Sequence, residues 1–256
     1  MLSIDLSGRK AFVTGGARGI GAGICDALAK GGADVCFTYH SNQSAAKGKI
    51  TDLENEGAKC MAFQADAVSE QAMASAVEQA AGYMGGIDIL VVNVGKNWEA
   101  PVAKLSFDDW KNGIEINLHS VYLAIKQAYP FLEAADRGDI ILVGSSGVYD
   151  GGGGAPFYAA AKAGMVGLMR YLMRETPQKN IRVNTIHPCV VDTDLLRSRY
   201  DTPQKIESLA AQVPLGRLST PADLGNLAAF LCSDLGSFIT GQSILVDGGR
   251  TIWKKR

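Results

Sequence analysis

A doubly wound parallel α/β sheet is the fold this sequence predicts, and three observations carry it. Short apolar runs alternate along the chain with stretches of helical periodicity, the order that puts a helix between successive parallel strands. One run, Ile87 to Asn93, is apolar almost without interruption, as expected of a strand covered on both faces. The first run leads into a glycine-rich turn and then a helix. A length of 256 residues suits a single domain, 1–256, with a sizeable core.

The elements follow in order. Lys10 to Thr14 is the first strand, and Gly15-Gly16-Ala17-Arg18-Gly19-Ile20-Gly21 follows it. A helix then runs to about Lys30, where Gly31-Gly32 ends it. Such a turn is a phosphate site: glycines admit a close-lying pyrophosphate, and the helix N-terminus offers free N–H groups and a positive dipole. Asp34 to Tyr39 is the second strand, with a helix ending near Gly57, and Lys59 to Gln64 is the third, with a helix from Ser69. Ile87 to Asn93 is the fourth, and a long helix from about Phe107 to Ala134 carries Asn117. Asp139 to Val143 is the fifth, a helix carrying Tyr158 follows, and Arg182 to His187 is the sixth. Pro188 to about Pro221 reads as irregular with short helical pieces. A helix from Ala222 to Ser233 and a strand from Ser243 to Val246 complete a seven-stranded sheet. Gly151 to Gly154 reads as a mobile turn, not a domain boundary.

Composition narrows the function. Lys and Arg total 25 against 26 Asp and Glu, so a net charge of −1 supplies no field for nucleic acid or an anionic membrane. The five cysteines are scattered without metal-ligand spacing and read as reduced packing residues; no metal is expected. The start lacks the apolar core of a signal peptide, and no apolar run reaches a membrane span; the expected location is cytoplasmic.

Chemistry concentrates between Ser145 and Lys162. Tyr-Ala-Ala-Ala-Lys propagates a helix, and a spacing of four puts the Tyr158 phenol and the Lys162 ammonium on one face. A nearby cation favours the phenolate, lowering a pKa of roughly 10 and fitting the phenol for proton exchange. Ser145 or Ser146, at the end of an apolar strand, could orient a substrate oxygen. His187 reads as a packed, hydrogen-bonded histidine, and His119 as structural.

Taken together, Thr14-Gly15, Gly19-Ile20-Gly21, Asn117, Ser145, Tyr158 and Lys162 resemble the short-chain dehydrogenase/reductase family over essentially the whole chain. The likeness extends to 3-oxoacyl-carrier-protein reductases and to sugar or alcohol dehydrogenases. The resemblance implies a Rossmann-like fold and nicotinamide-dependent oxidoreduction, with Tyr158 as general acid/base. It implies that Lys162 holds the ribose hydroxyls and lowers the Tyr158 pKa, that Ser145 binds the substrate oxygen, and that Asn117 supports a proton-relay water. Ser145 is favoured over Ser146 because the family's serine usually lies thirteen residues before the tyrosine. By the same resemblance Asp66 contacts adenine, Asn93-Val94-Gly95 ends the family's Asn-Asn-Ala-Gly run, and Pro188, Val191 and Thr193 meet the nicotinamide amide. Asp66 could equally cap the Ser69 helix. Val92, Val94 and Cys189 depart from the family's Asn, Ala and Gly, which bears on pocket shape and not on reaction class.

An NAD enzyme commonly places an acid roughly 20 residues past the glycine turn. Here the region reads Tyr39-His40-Ser41-Asn42, with no acid, and Arg18 offers a cation to a 2′-phosphate, so NADP is expected over NAD. The substrate is expected to be a small carbonyl or alcohol compound under a lid at about 192–212, mobile for want of a continuous apolar face. Apolar residues on the Asn117 and Tyr158 helices (Val121, Tyr122, Ile125, Met165, Met169, Leu172, Met173) are more than one sheet face needs. With the resemblance they imply a homotetramer; the alternative is burial against the sheet. The competing functional class is a regulatory or structural nucleotide binder on the same fold, without turnover.

Overall fold

The computed structural model describes residues 3–252; Met1, Leu2 and residues 253–256, the ends of the expected domain and part of the start read for a signal peptide, lie outside the described residues. The strands are β1 (Lys10–Thr14), β2 (Asp34–Tyr39), β3 (Cys60–Gln64), β4 (Ile89–Val92), β5 (Gly138–Val143), β6 (Ile181–Pro188) and β7 (Ser243–Val246). All pair in parallel in the order β3-β2-β1-β4-β5-β6-β7, the Rossmann-like doubly wound sheet. The order reverses between β1 and β4, the switch point at whose strand carboxyl ends open α/β sheets bind their ligands.

Alternation along each strand explains why the runs are continuously apolar. Ala11, Val13, Ile89, Val91, Ile141 and Val143 face one side, packed by α1 (Gly19–Lys30), α2 (Gln43–Asn55) and a helix over Pro221–Cys232. Phe12, Leu90, Val92, Ile140 and Leu142 face the other, under α3 (Glu70–Met84) and two helices described next.

The long helix expected over 107–134 is not uniform. It is α4 (Phe107–Ile114), a π-turn over Glu115–His119, and α5 (Ser120–Ala134). The Asn117 amide inside the turn donates to the Gly113 carbonyl at 2.9 Å, diverting the ladder so that the Ser120 N–H reaches back to Glu115. The Tyr158 helix packs beside it: α6 (Gly147–Asp150) is a short turn, and α7 spans Pro156–Leu172.

Several expectations are corrected. Val121, Ile125, Met165, Met169 and Leu172 are buried in the sheet-facing core, not spare for an interface; Tyr122 is the residue of that set left exposed. The Gly151 to Gly154 turn is tied to the loop after β4: Gly154 O accepts from Ala100 N at 2.9 Å and Gly153 O from Asn97 Nδ2 at 3.1 Å. The 192–212 segment folds as α8 (Asp194–Arg199) and α9 (Pro203–Ala210), and α9 has an apolar face. Ile206, Leu209 and Ala210 recur at helical spacing and pack with Val190, Leu196, Val213 and Leu218. The helix over Pro221–Cys232, α10, opens on a capping box of Thr220 and Asp223.

Candidate active site

The glycine turn sits at the switch point, and contact distances dictate its composition. A Cβ on Gly21 would lie 2.2 Å from the Gly15 carbonyl oxygen, so the helix can enter this close to the strand only with hydrogen there. Side chains of Asn42, Ser69, Ser106, Thr193, Thr202 and Thr220 cap α2, α3, α4, α8, α9 and α10. α1 has no such cap, which leaves its first N–H groups for a ligand such as a pyrophosphate. Arg18 stands exposed at its start, its side chain without a hydrogen bond or ion pair among the described residues. These features fit a dinucleotide.

Asn93 stands at the end of β4 beside the glycine turn. Its amide donates to the carbonyls of Thr14 and Gly15 at 3.3 and 3.1 Å, and its N–H donates to Thr14 Oγ1 at 3.0 Å. It braces the glycine turn from β4. Asn42 spends its carbonyl oxygen on Ala45 N at 3.0 Å, while His40 and Ser41 stand at the end of β2. Asp66 is exposed and accepts from Val68 N at 3.2 Å; the cap of α3 is Ser69, not Asp66.

After β6, Val191 bridges to Ser219 using the carbonyl of Val190 and the N–H of Asp192. That bridge leaves the N–H and C=O of Val191 itself for a carboxamide. Thr193 caps α8 with its hydroxyl, and its methyl would lie 3.5 Å from a Cβ on Gly19, so this loop closes over the glycine turn. Pro188 O accepts from Ser146 N at 2.8 Å. Cys189 is accommodated beside Arg250, whose Nη1 donates to its Sγ at 3.3 Å.

Four side chains converge over β4 and β5. Asn117, fully buried, clamps Lys96 by accepting from its N–H at 3.0 Å and donating to its carbonyl at 2.8 Å. A Cβ on Gly95 would lie 2.9 Å from Asn117 Oδ1 and 3.1 Å from Lys162 Nζ, so glycine alone fits between them. Ser145 stands beside the Tyr158 phenol and pulls its pKa down, and its Oγ accepts from Gly147 N at 3.1 Å. Ser146 is buried beneath, 6% exposed, so of the two serines Ser145 meets the tyrosine.

The electrostatics differ from the expectation that Lys162 lowers the phenol. Burial raises the Tyr158 pKa, and the neighbouring Ser145 hydroxyl opposes this. The Lys162 ammonium is 5.7 Å from the phenol ring centroid and donates to the Val143 carbonyl at 2.9 Å. Burial pushes the Lys162 pKa down to about 8, because no carboxylate accompanies it. A proton held this loosely beside a half-buried phenol suits a transfer site near neutral pH.

The rim was only partly legible. Trp98 packs on Phe157 with ring centroids 4.2 Å apart, and Arg197 is neutralised by Asp192 at 2.7 Å. Arg199 donates to Asn97 Oδ1 at 3.2 Å and to Asn97 O at 2.9 Å, tying α8 to the loop after β4. Neither the Val143 carbonyl nor the Asn97 junction carries a sequence signal, because both are backbone geometry.

The chain matches the family described as Enoyl-(Acyl carrier protein) reductase over residues 15–251. It is 38% identical over 245 residues to the 3-oxoacyl-(acyl-carrier-protein) reductase of Chlamydia muridarum, covering 95% of this chain and 98% of that one. A dehydrogenase/reductase from Sinorhizobium meliloti superposes with a TM-score of 0.90 at 34% identity, covering 97% of each chain. A blue fluorescent protein from a metagenomic library, solved with NADPH, gives a TM-score of 0.88 at 36% identity, covering 96% of this chain and 99% of that one.

Proposed function

From the premise that the chain belongs to the short-chain dehydrogenase/reductase family, we propose an NADP-dependent oxidoreductase that interconverts a carbonyl compound and its secondary alcohol. When bound, the nicotinamide supplies or accepts the hydride. The chain's own residues do the rest. The glycine turn, the α1 N-terminus and Arg18 hold the phosphates. Asp66, His40 and Ser41 border the adenosine, and Gly95, Val191 and Thr193 border the nicotinamide. Ser145 orients the substrate oxygen, Tyr158 exchanges a proton with it, and Lys162 steadies the ribose and the proton on Tyr158. Asn117 fixes the floor through Lys96. Residues 192–212 act as a lid on this single domain.

One observation carries the reading: a half-buried phenol beside Ser145, one helical turn from an unpaired buried lysine, beside an uncapped glycine-turn helix. The missing acid at 39–42 and the free Arg18 support NADP, as does the NADPH held by one structural relative. A panel of ketones and alcohols with NADPH oxidation or NADP reduction, run on wild type and Tyr158→Phe, tests it. Turnover should fall roughly 10²- to 10⁴-fold with cofactor binding kept; near-normal turnover in the variant refutes the mechanism. Tyr122 and Tyr171 stand out on α5 and α7, and a homotetramer through these helices is proposed on them. A monomer by light scattering at micromolar concentration rules it out.

A further inference from the structure

Ser145 lies just past the last paired residue of β5. On one side β6 holds its neighbours: Gly144 N donates to Ile186 O and Ser146 N to Pro188 O, each at 2.8 Å. In a parallel ladder the residue between them points its N–H the other way. There β4 has already ended, its pairing with β5 stopping at Val92 opposite Leu142. The Ser145 N–H therefore has no strand to bond, and a buried N–H without a partner is costly.

His187 fills the gap. His187 Nδ1 lies 3.2 Å from both the Ser145 nitrogen and the Ser145 carbonyl oxygen, and that carbonyl also accepts from Val148 N at 3.2 Å. A Cβ on Gly144 would lie 2.3 Å from Nδ1, so the ring occupies space that only glycine leaves open. Nε2 lies 2.7 Å from Ser243 Oγ and 2.9 Å from Thr185 Oγ1. One ring tautomer accepts from the Ser145 N–H at Nδ1 and donates from Nε2 to these hydroxyls; the other donates from Nδ1 to the Ser145 carbonyl and accepts from them at Nε2. In both, the ring ties the Ser145 backbone to β7. The ring is fully buried, and Tyr149 closes its edge, centroids 5.6 Å apart, while bonding Ser243.

We infer that His187 is a positioning residue for Ser145: its neutral imidazole replaces the missing strand and aims the serine hydroxyl at Tyr158. The inference rests on the proposed pairing of Ser145 with Tyr158. It makes the two imidazole nitrogens unequal, and two amide substitutions separate them. His187→Asn puts an amide near the place of Nδ1 and abandons Ser243, whereas His187→Gln reaches toward Ser243 and abandons Ser145.

Both variants lose the ring, so a purely packing role predicts equal damage. Positioning predicts that His187→Gln lowers kcat roughly ten- to a hundred-fold with little change in KM, while His187→Asn stays within about three-fold of wild type. In a Ser145→Ala background, His187→Gln should add nothing, because the hydroxyl it aims is gone. Should His187→Gln not fold, Ser243→Ala loosens the ring from outside the core, and its smaller kcat loss should likewise vanish with Ser145→Ala. Equal losses in both amide variants, or losses that persist without Ser145, overturn the positioning role. Full turnover in Ser145→Ala alone instead removes the reading of the site itself.

Discussion

A Cβ built on Gly153 would lie 2.2 Å from Cδ1 of Tyr158. The glycine run before α7 thus forms one wall of the phenol's slot, with Gly153 at φ +106°, a backbone that side chains rarely adopt. Gly153→Ala should push the phenol off Ser145 and strain the turn, costing about 1–3 kcal/mol of stability and at least roughly ten-fold in turnover. Steady-state kinetics beside a thermal melt read both. An alanine variant with wild-type kcat would show that the slot tolerates the displacement.

Cofactor choice turns on the end of β2. A 2′-phosphate carries close to two negative charges, and one charge-assisted contact from Arg18 is worth roughly 1.5–3 kcal/mol. Wild type should prefer NADPH to NADH by about ten- to a hundred-fold in kcat/KM. Arg18→Ala should hurt NADPH more than NADH, and His40→Asp should erase or reverse the preference by repelling the phosphate. A wild type that favours NADH overturns the assignment, whatever the variants do.

Acid stability should report His187. Burial, helped by the Lys162 charge, lowers its pKa from 6.5 to about 4, against a weaker upward pull from the Ser145 backbone. Between these values the unfolded chain binds a proton that the folded chain refuses, so unfolding free energy rises with pH across the window. The contribution is complete above 6.5 and is lost as pH falls toward 4, up to about 3 kcal/mol at the bottom. Urea unfolding of wild type and His187→Asn from pH 7.5 to 4 checks this. The variant's curve should be flatter by about that amount; parallel curves refute it.

The segment 192–212, proposed as a lid, is held at two places, by the α9 apolar face and by Arg199 on Asn97. Arg199→Ala removes two exposed hydrogen bonds, worth about 1 kcal/mol together. Hydrogen exchange should quicken across 194–210 and substrate KM should rise a few-fold, with the exchange of β5 unchanged. Unchanged exchange in α8 would mean that the apolar face alone fixes the segment.

The sequence determined the order of elements, the parallel sheet and the position of each chemical group along the chain. These are local matters: apolar runs long enough for a two-faced strand, a glycine turn between strand and helix, and a four-residue step from Tyr158 to Lys162. Tertiary structure decided what those groups touch. Lys162 carries its charge toward the Val143 carbonyl and not onto the phenol, because burial without a carboxylate leaves a backbone oxygen as its acceptor. Asn93 braces the glycine turn because the carbonyls of Thr14 and Gly15 end beside it across the sheet. Val121, Ile125 and Met165 went to the core because the sheet face beneath α5 and α7 is wide enough to take them. Ser145 finds His187 only because β4 stops short of it, and where one strand ends beside another is fixed by register between segments far apart in the chain.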